Sequence, residues 1–132
     1  MRRRLALGLL LALGVPSVPA EALAPGSWHA DLGSLRVALA GRETGSTAAL
    51  PPPLAAGRSL DRVRWQFRLP PGARVQAWLC HPQRCIELHQ AQGRTRALAG
   101  LDAGQPLQLR FRLPPAAPAQ LLQELQLLVE YR

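Results

Sequence analysis

The chain has 132 residues, a length that suits one domain. Apolar residues make up 48%, which excludes a disordered chain, while 13 Pro and 11 Gly argue against a helical bundle or coiled coil. Sixteen basic residues face eight acidic ones, for a formal charge of +8, and every basic residue is Arg.

The first segment has the order of a secretory leader. Met1-Arg2-Arg3-Arg4 is a positive start, Leu5 to Val15 is an apolar run, and Pro16 precedes small residues. A run this short falls below the roughly 20 residues needed to span a bilayer as a helix, so no stable membrane span is expected. The pattern predicts a cleavable signal over 1–20, cut after Ala20 or Ala22, and one mature domain over 21–132. Cutting after Ala20 leaves thirteen Arg and eight acids, a balance of +5. Outside the cytoplasm nucleic acid is not an expected partner. Anionic lipid, cell-wall material or an acidic protein surface fits such a charge better.

The mature chain alternates like β-structure. Leu35, Val37 and Leu39 fall on one face of a first strand. The stretch from Gly41 to Gly57, with Pro51-Pro52-Pro53 at its centre, reads as a long, partly extended surface connection. In Arg62 to Leu69, Val63, Trp65, Phe67 and Leu69 point one way, while Arg62, Arg64, Gln66 and Arg68 point the other. Val75 to Leu79 and Ile86 to Leu88 form an expected hairpin, and Thr95 to Leu101 a further short strand. Leu107 to Leu113 repeats the alternation, with Arg110 and Arg112 outward. Both long strands end in Leu-Pro-Pro, where proline stops the ladder. At the C-terminus Leu121, Leu122, Leu125 and Leu128 fit a helical stripe, whereas Leu125, Leu127, Val129 and Tyr131 fit a strand; Val129 and Tyr131 favour a strand at the end, after a helical turn at Ala119 to Gln123. The pattern gives an all-β class: a small antiparallel β-sandwich or barrel-like domain with one hairpin disulfide.

That disulfide joins Cys80 and Cys85. Their spacing lacks the two-residue separation of thioredoxin-type redox pairs. His81 and His89 complete a metal set only on paper, so no metal and no cofactor is expected. In an exported chain the thiols are expected to oxidise, and Pro82 makes the turn between them. Catalysis finds no candidate set: His29-Ala30-Asp31 is the sole His-x-Asp pair, and no Gly-x-Ser-x-Gly elbow occurs. The chain is expected not to be an enzyme. What remains is the outward arginines, Arg62, Arg64, Arg68, Arg74, Arg110 and Arg112, of which all but Arg74 form the candidate partner-binding basic face. They read either as a solvated sheet face or as a basic docking face for an acidic partner. An exposed edge strand leaves self-association open.

Taken in order, several features resemble the flagellar FlhE family. They are Trp28, Val63-Arg64-Trp65-Gln66-Phe67-Arg68-Leu69, Leu79-Cys80, Arg84-Cys85 and Leu88, then Gly93, Pro106-Leu107 and Val129-Glu130-Tyr131-Arg132. The resemblance runs from Trp28 to Arg132. Leu-Cys-x-x-x-Arg-Cys-x-x-Leu and the terminal Tyr-Arg are its most specific parts. It implies a small periplasmic β-rich protein linked to flagellar assembly and swarming, acting chaperone-like at the flagellar type III export gate and limiting proton leakage there. The implied partners are export-apparatus or rod proteins on the periplasmic side. The family supplies no catalytic residues. A general envelope module for anionic cell-wall or lipid groups is the alternative.

Overall fold

The computed structural model describes residues 13–14 and 25–132. The leader expected over 1–20 therefore lies almost wholly outside the described residues. Eight strands follow in chain order: β1 (Gly26–Val37), β2 (Glu43–Gly45), β3 (Leu60–Arg68), β4 (Gln76–His81), β5 (Arg84–Leu88), β6 (Gln92–Thr95), β7 (Gln108–Arg112) and β8 (Gln120–Tyr131). They form two four-stranded sheets, β1-β8-β3-β6 and β2-β7-β4-β5, with all pairings antiparallel. The fold is the expected all-β sandwich.

Alternation builds the core. Val63, Trp65 and Phe67 of β3 are buried, as are Leu109 and Phe111 of β7 with the flanking Leu107 and Leu113. The layers meet where Phe67 and Phe111 pack edge to face, ring centroids 5.1 Å apart. This T-shaped geometry sets the positive ring edge against the negative face. Leu122, Leu125, Leu127 and Val129 of β8 and Ala77 and Leu79 of β4 complete the interior.

The C-terminal segment is strand throughout, and a bulge explains its double pattern. Glu124 has φ 54° and no direct cross-strand partner, and the register with β3 shifts between Gln66 and Arg68. One inserted residue moves the buried set from Leu122 to Leu125, a spacing of three that imitates a helix. On the facing strand Gly33, at φ +68°, takes the matching irregularity, and Asp31 accepts its N–H at 3.0 Å.

Two sequence expectations need correction. The stretch 41–57 is more than a connection. Its residues Glu43–Gly45 form the edge strand β2 against β7, Ser46 is buried with its Oγ accepting the Leu109 N–H, and Ala49 and Ala55 enter the core. The short strand expected at Thr95 to Leu101 lies earlier, at Gln92–Thr95. Gly93 stands opposite Trp65, and a Cβ there would meet the indole at 2.6 Å. The Trp65 ring takes the space of the missing side chain, while its Nε1 donates to the Gln90 carbonyl at 2.9 Å.

Cys80 and Cys85 are bonded and stand opposite each other in the β4–β5 hairpin. The closed loop is short, so the bridge should contribute about 2 kcal/mol on the chain-entropy account. Phe111→Ala should cost about 3–5 kcal/mol in urea unfolding, because the cavity opens at the junction of both sheets. Leu54→Ala, at a residue 77% exposed, should change stability by no more than ~0.5 kcal/mol.

Candidate functional site: the outer sheet faces

The five arginines expected to form one basic face are divided between the two layers. Arg62, Arg64 and Arg68 belong to β3, in the first sheet; Arg110 and Arg112 belong to β7, in the second. Outward side chains of two packed sheets point away from each other, so the hydrophobic core separates the two groups.

Carboxylates treat these arginines differently. On the second sheet Glu43 lies 3.8 Å from Arg110 and 3.9 Å from Arg112. Arg110 Nε also donates to the Gln108 side chain at 3.1 Å, and the Arg112 guanidinium lies 6.0 Å from the centre of the Trp78 ring. On the first sheet Arg68 pairs with the bulge residue Glu124 at 3.1 Å. Arg64 makes no ion pair among the described residues. Its cross-strand partner on β6 is Arg94, which makes none either.

The register extends this arrangement across the whole sheet. One row runs His29, Leu128, Arg64, Arg94 over β1, β8, β3 and β6. The next outward row runs Asp31, Gln126, Gln66, Gln92. All of these residues but Asp31 line an open depression of about 600 Å³. The side-chain amides of Gln66, Gln92 and Gln126 make no hydrogen bond to any described residue, and His29 makes none to Asp31. Sequence reading missed Arg94 and the glutamine row. Gln-Gly-Arg-Thr carries no apolar alternation, so nothing marked β6 as a strand.

A second depression, of about 530 Å³, lies at the disulfide end of the other sheet, between the hairpin tip and Gln108 and Arg110. Beside it His81 is buried. Its Nδ1 accepts the Gln83 N–H at 3.1 Å, so Nε2 carries the hydrogen and donates to the Asp102 carbonyl at 2.9 Å. Nδ1 thus braces the hairpin's own turn, and Nε2 ties the hairpin to the loop after β6. Among the described residues no three His, Cys, Asp or Glu side chains come together as a metal set. No helix among them is long and apolar enough to cross a membrane.

At the far end of the first sheet Asp61 gathers two cations. Its Oδ1 lies 2.9 Å from Arg96 and 3.0 Å from Arg132. Partial burial raises the Asp61 carboxyl pKa, but the guanidiniums of Arg132 and Arg96 outweigh it and hold the group below its ordinary value. The terminal residue is tied further by reciprocal backbone bonds with Ser59, at 3.1 and 2.9 Å.

Fold and surface define the class first: a small two-sheet β-sandwich with a hairpin disulfide, its exposed chemistry carried on flat sheet faces. Residues 35–132 match the family model described as Flagellar protein FlhE. Flagellar protein FlhE of Escherichia coli (strain K12) is 31% identical over 131 residues, covering 93% of this chain and 98% of that protein. Flagellar protein FlhE of Yersinia enterocolitica is 31% identical over 145 residues, covering 100% of this chain and 97% of that one. The solved structure titled "Crystal Structure of FLHE" shares the fold, with a TM-score of 0.71 at 24% identity over 83% of this chain and 99% of its own. The chain belongs to the FlhE family of flagellar proteins, and its role is a flagellar one.

Because the folded-state pKa of Asp61 is depressed, its stabilising effect is present above the unfolded value and disappears as pH falls through the folded one. Asp61→Asn should therefore lower the melting temperature at pH 7. The gap to wild type should narrow below pH ~4, where the unfolded carboxyl takes up its proton. Thermal melts of both proteins from pH 7 to pH 2 check this.

Proposed function

We propose that this protein is exported by its first 20 residues and works in the periplasm as a non-enzymatic, chaperone-like accessory of flagellar assembly. In this reading it acts at the type III export gate and limits proton leakage there. Membership of the FlhE family, matched over residues 35–132, carries the reading. Two further features support it. The order of Arg2 to Arg4, the Leu-rich run and small residues at Ala20 and Ala22 is that of a secretory leader. The Cys80–Cys85 bridge suits an oxidising compartment, where such bonds persist.

The proposed partner is an export-apparatus or rod protein on the periplasmic side, and the contact is electrostatic. Arg62, Arg64 and Arg68 offer one set of guanidiniums, while Arg110 and Arg112, shared with Glu43, offer another. A guanidinium fork grips carboxylates in two-point fashion, so acidic protein surface is the matching chemistry.

Deletion of the gene in its native host should reduce swarming and acidify the cytoplasm while flagella assemble. The full chain should restore both, and a chain lacking residues 1–20 should restore neither. Normal motility with unaltered cytoplasmic pH in the deletion strain would overturn the proposal. Co-purification of the tagged protein with basal bodies should weaken between low and moderate salt, because exposed charges are screened over about 10 Å at 0.1 M. Recovery with cell-wall fragments or anionic lipid alone would favour a general envelope role instead.

A further inference from the structure

We propose that the outer face of the β1-β8-β3-β6 sheet is a seat for an acidic, extended polypeptide segment. Arg64 and Arg94 take its carboxylates, and Gln66, Gln92 and Gln126 take its flanking peptide groups. This deepens the partner contact proposed above and rests on that reading.

The argument starts from an electrostatic oddity. Like charges directly opposite on neighbouring strands destabilise a sheet, and Arg64 and Arg94 stand in that relation. Five other arginines have an acid beside them: Glu43 by Arg110 and Arg112, Asp61 by Arg96 and Arg132, Glu124 by Arg68. At the opposed pair no acid is supplied from the described residues. Asp31 and Glu130 lie on strands of the same sheet, yet neither pairs with these two arginines, and Asp31 is engaged with the Gly33 N–H. The counter-charge is left to come from outside.

The second row of the same face identifies the chemistry. Gln126, Gln66 and Gln92 stand side by side across three strands, with no hydrogen bond to any described residue. A bare phosphodiester presents acceptors alone and would leave the amide carbonyls idle. A peptide presents an N–H and a C=O at every residue, which matches an amide's paired donor and acceptor. Leu128, between His29 and Arg64, adds an apolar contact in the floor. The depression is open along the sheet rather than enclosed, and its volume of about 600 Å³ suits a few residues of extended chain.

The test is fluorescence anisotropy at low salt with the whole mature protein. The probe is a fluorescein-labelled peptide of alternating Glu and Ser, and its comparison replaces Glu with Gln. The Glu peptide should bind and the Gln peptide should not. Arg64→Gln with Arg94→Gln should weaken binding about tenfold or more, the loss expected for charge-assisted hydrogen bonds. Arg42→Gln with Arg74→Gln removes the same charge from exposed loops and should leave binding unchanged. The groove variant should keep a wild-type circular dichroism spectrum and an equal or higher melting temperature, since a like-charge pair has gone. Absence of binding, or equal loss in both variants, would overturn the seat. Tighter binding of phosphatidylglycerol vesicles than of the peptide, through the same two arginines, would overturn it in favour of lipid. Restored swarming by the full chain tests the flagellar role separately, so a failed titration beside restored swarming removes the groove and leaves that role standing.

Discussion

The hydrogen bonds along both edges of β8 hold the first sheet together. β1 and β3 never touch each other through the ladder; each pairs with the C-terminal strand, and β6 joins only through β3. The last dozen residues of the chain are therefore the middle of the sheet. Their inward leucines and Val129 sit at the centre of the core, and Arg132 closes onto Ser59 and Asp61. Contacts of such long sequence separation make loop closure the costly part of folding. The sheet cannot be completed until the final strand is available.

From that central strand the chemistry of the outer face follows. A strand paired on both sides places its outward residues in rows with those of its neighbours. Leu128 and Gln126 thereby link β1 to β3, and β3 hands the row to β6. The same residue type means different things in different rows. Arg68 is neutralised by the bulge that Glu124 makes, whereas Arg64, four residues earlier on the same face, meets another arginine. Charge count alone cannot separate these cases, because the distinction lies in register.

Much of the sandwich was legible in the sequence. β3 and β7 declare themselves by strict alternation and by the prolines that end them, and the β4–β5 hairpin by its cysteines and Pro82. The FlhE resemblance, carried by that cysteine unit and the terminal Tyr-Arg, is borne out by the family match. Three features were hidden for physical reasons. The bulge at Glu124 puts buried leucines three apart, so β8 shows a helical spacing and a strand spacing at once. β6 has no apolar residue of its own because the Trp65 ring covers Gly93. β2 is three residues long and pairs on one edge only, beside a proline-rich turn, so it has too little pattern to stand out. The division of the arginines between two sheets was beyond reach, since alternation fixes which way a side chain points within a sheet but not which sheet a strand joins.

The position of Trp65 has one further consequence. Its indole lies on the inner side of the sheet, against Gly93, directly behind the row that carries Arg64 and Arg94. The ring is nearly sealed from solvent and anchored to the Gln90 carbonyl. Of the three tryptophans, Trp78 belongs to the opposite sheet and Trp28 to the distant strand β1. Any shift of β3 against β6 therefore changes the surroundings of a buried aromatic ring, and the two strands are held in place from behind as well as along their ladder.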